Sequence, residues 1–123
     1  MTEETYTPES LRDVIVNALD DGKAHDIQVL DVRDLTSITD YMVVATGRSS
    51  RQVKALAERV QDAVRDMNVK AMGVEGQQMA EWILLDFGDV VVHTMQPDIR
   101  SFYQLEKLWE LPKRSSPAET VTA

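Results

Sequence analysis

With 123 residues, 43% of them hydrophobic and 28% charged, the chain has enough material for one domain with a real core and too little for two ordinary ones. Zero cysteines exclude disulfide frameworks and thiolate metal sites, and two histidines leave little for a zinc centre. The 21 acidic and 13 basic residues set a formal net charge of −8, which disfavours direct nucleic-acid binding because phosphate recognition needs an excess of Lys and Arg. That charge suits either plain solubility or a basic protein partner reached by electrostatic steering.

The polar start MTEETYTPES lacks the basic and apolar regions of a signal peptide, and no apolar run approaches the ~20 residues that span a bilayer. A cytoplasmic, membrane-free protein is expected. Residues 1–8 read as a flexible N-terminus, 9–111 as a single domain and 112–123, rich in Ser, Pro and Thr, as a disordered tail. Thr7 and Pro8 mark a helix start as N-cap and first-turn residue. Leu11, Val14, Ile15, Ala18 and Leu19 then recur on one helical face up to Gly22. Ile27–Val32 and Tyr41–Thr46 read as strands, the second, YMVVAT, as an interior one. Ser49 and Gln52 have capping-box spacing ahead of a second amphipathic helix carrying Val53, Leu56, Ala57, Val60, Val64 and Met67.

Residues 69–74 read as a short strand. The two apolar runs that follow fit a hairpin about Gly88-Asp89, with Gly88 supplying the positive φ of a type II′ turn. Alternation puts Ile83, Leu85, Phe87, Val90 and Val92 on a core face. Trp82, Leu84, Asp86, Val91, His93 and Met95 fall on the other. That second face is too apolar to be left wet and must be covered by the protein's own helices, a second chain or a partner. Pro97 and Asp98 open a last helix with Ile99, Phe102, Leu105 and Leu108 toward the core, ending at Leu111-Pro112. The order helix, strand, strand, helix, three strands, helix predicts an α/β fold with a mixed sheet flanked by helices.

No catalytic constellation emerges, and no cofactor or metal is expected. TGRSSRQ has neither P-loop nor dinucleotide-fold glycine spacing, and capping explains its serines. Asp86 and Asp89, three residues apart, would point to opposite faces of a strand, and Asp89 suits a turn. His93 could pair with Asp86, but a lone strand histidine is read as a core residue hydrogen-bonded to a neighbour. Only 6% of the chain is aromatic, yet Trp82, Phe87, Phe102, Tyr103 and Trp109 gather in its last third. Phe102 and Trp109 are read as core. Trp82, Phe87 and Tyr103 sit at edges where large rings act as interface anchors, with a core role an equal alternative for each.

In combination, SITDYMVVATGRSSRQV, GVEGQQMAEWILLDFGDVVVHTM and RSFYQLEKLW closely resemble the ribosomal silencing factor family, also called RsfS or Iojap-like, over roughly residues 10–110. The resemblance implies a nucleotidyltransferase-like fold without nucleotide chemistry. It also implies binding to the large ribosomal subunit through its protein fourteen, blocking subunit joining in starvation or stationary phase. The family's contact aromatics fall on Trp82, Phe87 and Tyr103, and Glu81, Asp86 and Asp89 are candidate acidic contacts. A homodimer of the free chain would cover the same apolar face. The alternative is a residual nucleotidyltransferase-like enzyme using the Gly47–Ser50 loop and Asp86.

Overall fold

The computed structural model describes residues 6–104 and Lys107. Helix α1 (Pro8–Asp21) opens on a reciprocal cap: the Thr7 hydroxyl accepts from the Ser10 amide at 3.0 Å, and the Ser10 hydroxyl accepts from the Thr7 amide at 2.9 Å. Together these bonds satisfy two donors that a helix start otherwise leaves unpaired. Tyr6, ahead of the cap, packs against the core. Leu11, Ile15, Ala18 and Leu19 form the buried face. At the helix end Gly22 is needed for close approach, because a Cβ there would lie 2.7 Å from Leu56 Cδ2 of the helix at 50–65.

Strand β1 (His25–Asp31) starts two residues earlier than its apolar pattern indicates and runs antiparallel to β2 (Tyr41–Thr46) along one edge of the sheet. β2 is buried at every position, as an interior strand should be. Helix α2 (Ser50–Arg65) buries Val53, Leu56, Ala57, Val60 and Val64. Its Ser49 cap accepts from the Gln52 amide at 3.2 Å, but the return half of the expected box is displaced by one residue. Gln52 Oε1 accepts from the Arg48 amide instead, and Gln52 Nε2 donates to the carbonyls of Gly22 and Lys23. One side chain therefore ties the entry of α2 to the exit of α1.

β3 (Gly73–Glu75), β4 (Trp82–Asp86) and β5 (Val90–Met95) complete a sheet of order β1-β2-β5-β4-β3, parallel only between β2 and β5. The β4–β5 hairpin turns at Gly88-Asp89: the Phe87 amide donates to the Val90 carbonyl at 3.0 Å, and Gly88 has φ +85°. The mixed α/β architecture and the hairpin agree with the sequence pattern. Helices α1 and α2 cover one face, where Tyr41, Val43, Ala45, Ile83, Leu85, Phe87, Val90 and Val92 form the main core. Helix α3 (Pro97–Tyr103) lies on the other. A left-handed Gln104, at φ +49°, interrupts the single helix expected from Pro97 to Leu111. Leu105, Leu108, Trp109 and the tail lie outside the described residues.

Candidate partner-binding face

The face opposite α1 and α2 carries Trp82, Leu84, Asp86, Val91, His93 and Met95, as period-two alternation requires. The protein's own α3 covers part of it. Ile99, Leu30 and Trp82 pack against a small second core of Met42, Val44 and Met95, while Leu84, Asp86 and Val91 remain half-buried. Two bonds seat the helix entry beside β4, from the Gln96 amide to the Glu81 carbonyl at 2.9 Å and from Gln96 Nε2 to the Ala80 carbonyl at 3.3 Å. Arg100 fastens the other side. Its guanidinium is buried and donates to the Thr46 hydroxyl at 2.7 Å and to the Asp26 carbonyl. Nothing in the pattern around Arg100 marks it as buried, because its role depends on three distant segments meeting.

This seating brings four rings into series. Trp82 and Tyr103 have centroids 4.9 Å apart at 50°, and Phe102 meets Tyr103 edge-on at 5.0 Å and 85°. On its inner side Trp82 lies 5.9 Å from His93, and its indole Nε1 donates to His93 Nδ1 at 2.9 Å. His93 is buried, which lowers its pKa to about 4 and keeps the imidazole neutral. With Nδ1 accepting, the ring proton resides on Nε2, a buried atom with no hydrogen-bond partner among the described residues. His93 is thus a core residue bonded to a neighbour, as its lone strand position indicates.

Two aromatic expectations reverse. Phe87 lies in the main core at 4% exposure, on the α1–α2 side, so its ring is withdrawn from the surface where an anchor was expected. Phe102, expected in the core, is 79% exposed. Tyr103 is half exposed and Trp82 half-buried, so both present ring surface at the edge.

The acidic candidates do not form one cluster. Glu81 is exposed beside Trp82, whereas Asp86 and Asp89 lie at the hairpin turn, roughly 16 Å away for five residues of extended strand. Asp86 Oδ1 accepts from the Gly88 amide at 2.9 Å, and the Asp89 carbonyl accepts from the amides of Asp40 and Tyr41. Among the described residues no three His, Cys, Asp or Glu side chains gather as a metal site.

The components of the alternative enzyme are likewise far apart. The Gly47 amide donates to the Met95 carbonyl, at the Trp82 end of the hairpin, whereas Asp86 pairs with Val91 at the turn end. Four strand residues separate the two positions, roughly 13 Å. A Cβ on Gly47 would lie 2.9 Å from the Val53 amide nitrogen, so the loop is closed down on α2.

A family model described as ribosomal silencing factor during starvation (RsfS) matches residues 5–122. The chain belongs to the RsfS family. The ribosomal silencing factor RsfS of Zymomonas mobilis is 41% identical over 105 residues, covering 85% of this chain and 79% of that protein. A crystal structure of a Chromobacterium violaceum protein superposes with a TM-score of 0.83 at 42% identity, covering 94% of each chain. The chain is also similar to a longer mouse protein named mitochondrial assembly of ribosomal large subunit protein 1. It is 33% identical over 102 residues, or 80% of this chain and 45% of the mouse protein.

Proposed function

We propose that this RsfS-family chain docks on the large ribosomal subunit through the subunit's protein fourteen and sterically prevents the small subunit from joining. The observation that carries this reading is the packed Trp82–Tyr103 pair, with exposed Phe102 beyond it, formed where α3 lies beside the start of β4. Large rings held in place offer contact area at little entropic cost and dominate the energetics of most interfaces. Glu81 lies beside the rings, and the net charge of −8 favours encounter with a basic protein surface. Asp86 and Asp89 extend the contact toward the hairpin turn. Phe87 supports that turn from the core side and leaves the contact to the turn's surface.

Inhibition by occupancy needs no turnover, so the chain acts as a regulator and not as an enzyme. It represses translation in the cytoplasm during starvation or stationary phase. When the chain is free, a second copy shields the same rings.

Sucrose-gradient sedimentation of purified subunits tests the proposal. The protein should travel with large subunits and not with small ones, and a saturating amount should suppress formation of joined ribosomes. Unchanged joining at saturation would sink it.

A further inference from the structure

Trp82 links buried His93 to the exposed rings of Tyr103 and Phe102, yet it lies at the very start of β4, where strand pairing constrains a side chain least. Packing against the small core of Met42, Val44 and Met95 and against Tyr103 holds the ring without fixing which way its indole N–H points. One directional contact removes that freedom: the bond from Trp82 Nε1 to His93 Nδ1 across the hairpin. We infer that His93 is a positioning residue, whose Nδ1 lone pair locks the Trp82 indole in the orientation that a docking partner meets.

Three observations support this role over simple core filling. His93 faces Leu84 and Val44 across its two neighbouring strands, an environment that an aliphatic side chain would fill without polar atoms. Its Nε2 is buried and has no hydrogen-bond partner among the described residues, so folding carries an energetic cost at this position with no local return. The neutral state imposed by burial leaves Nδ1 able to accept only when the proton sits on Nε2. The unpartnered N–H is therefore the consequence of holding the indole. Tyr103 packs against the same indole, with ring centroids 4.9 Å apart, so fixing one ring orders the next.

The binding part of this inference rests on the proposed docking reading, whereas the lock itself does not. The test uses the full chain and two substitutions. His93→Leu removes the acceptor together with the unpartnered group, and His93→Asn places a side-chain oxygen near the Nδ1 position. Proton exchange at the Trp82 indole, assigned by loss of its signal in Trp82→Phe, reports the lock. Co-sedimentation with isolated large subunits reports docking.

His93→Leu should keep a normal denaturation midpoint or a higher one. Its indole exchange should be at least tenfold faster and its affinity for large subunits at least tenfold weaker, and His93→Asn should recover most of both. In a Trp82→Phe background, which has no indole N–H, His93→Leu should cause no further loss of affinity, whether or not it also lowers stability. A further tenfold loss there would overturn the inference. So would unchanged indole exchange, or full affinity, in His93→Leu alone. If the unsubstituted chain fails to sediment with large subunits, the docking reading falls and takes the positioning role with it, while the exchange measurement still decides the lock.

Discussion

Trp82 connects the interior of the protein to its surface within a single side chain. Its indole N–H is committed inward to His93, while its ring packs at a tilt against Tyr103 and part of it stays exposed. Phe102 extends the series because α3 turns Ile99, Arg100 and Tyr103 toward the sheet, which leaves position 102 about a third of a turn from the centre of that arc. Phe87 belongs to the opposite layer, in step with Ile83 and Leu85. Replacing these two phenylalanines should therefore give opposite results. Phe87→Ala should cost ~3–5 kcal/mol of folding stability through the cavity it leaves. Phe102→Ala should stay within about 0.5 kcal/mol of the parent, as exposed substitutions do. If its ring is an anchor, affinity for large subunits should nevertheless fall at least tenfold, the order of loss at interface hot spots. Urea midpoints and co-sedimentation on the same preparations check both. A stability loss in Phe102→Ala equal to that in Phe87→Ala would place its ring in the core after all.

Between β3 and β4, residues 76–81 bring the chain around to Trp82, and Gly76 makes the tightest approach in that bend. Its φ is +89°, and a Cβ there would lie only 2.0 Å from the Trp82 carbonyl oxygen. A side chain at this position would clash with rigid backbone as well as strain its own, and no rotamer change relieves either. Gly76→Ala should lower stability by ~3 kcal/mol and displace the first residue of β4, weakening docking in the fraction that stays folded. Gly73 provides the control: its φ is not positive, and a Cβ added there would meet nothing within 4 Å among the described residues. Gly73→Ala should leave the urea midpoint close to the parent's, and an equal loss in both variants would remove the steric explanation. The glycine-flanked entry to the hairpin is legible as a pattern in the sequence. Which of its glycines is indispensable depends on where the next strand returns.

Across the whole molecule, acid should act first through His93 and, at lower pH, through the exposed carboxylates of Glu9 and Asp31, whose pKa values are also lowered. Burial depresses the folded pKa of His93 to about 4 from an ordinary 6.5. Above pH 6.5 the ring is neutral in both states and costs nothing further. As pH falls from 6.5 to about 4, the unfolded chain takes up a proton that the folded chain refuses, so stability drops, by on the order of 3 kcal/mol when complete. Asp31 acts lower. Hydrogen bonds from Arg33 hold its pKa down at about 2, so its contribution is intact above its ordinary value of 3.8 and is lost as pH falls from there to about 2. That pair is exposed, and its contribution is small. Urea midpoints measured between about pH 7 and pH 4 should decline for the parent and stay nearly level for His93→Leu. Parallel declines in the two would mean that His93 is not the group responsible. Salt offers a separate check on the charge argument, since an acidic chain steered to a basic surface should associate more slowly as ionic strength rises.

The helices, strands, caps and hairpin of this protein are written in local sequence, because spacings of about two and 3.6 residues, a Thr-Pro start and a Gly-Asp turn act within a few residues of chain. The three-part motif match added the family. Tertiary structure decided the rest, for reasons that no local window contains. The parallel pairing of β2 with β5 joins strands more than forty residues apart. Arg100 is buried because segments around Asp26 and Thr46 converge on it. Phe102 stays in water because a short α3 spends its sheet-facing side on Ile99, Arg100 and Tyr103. The bond between Trp82 and His93 requires both the hairpin register and a histidine kept neutral by burial. Local periodicity chose which residues face inward, and long-range packing determined which of the remaining rings were left for a partner.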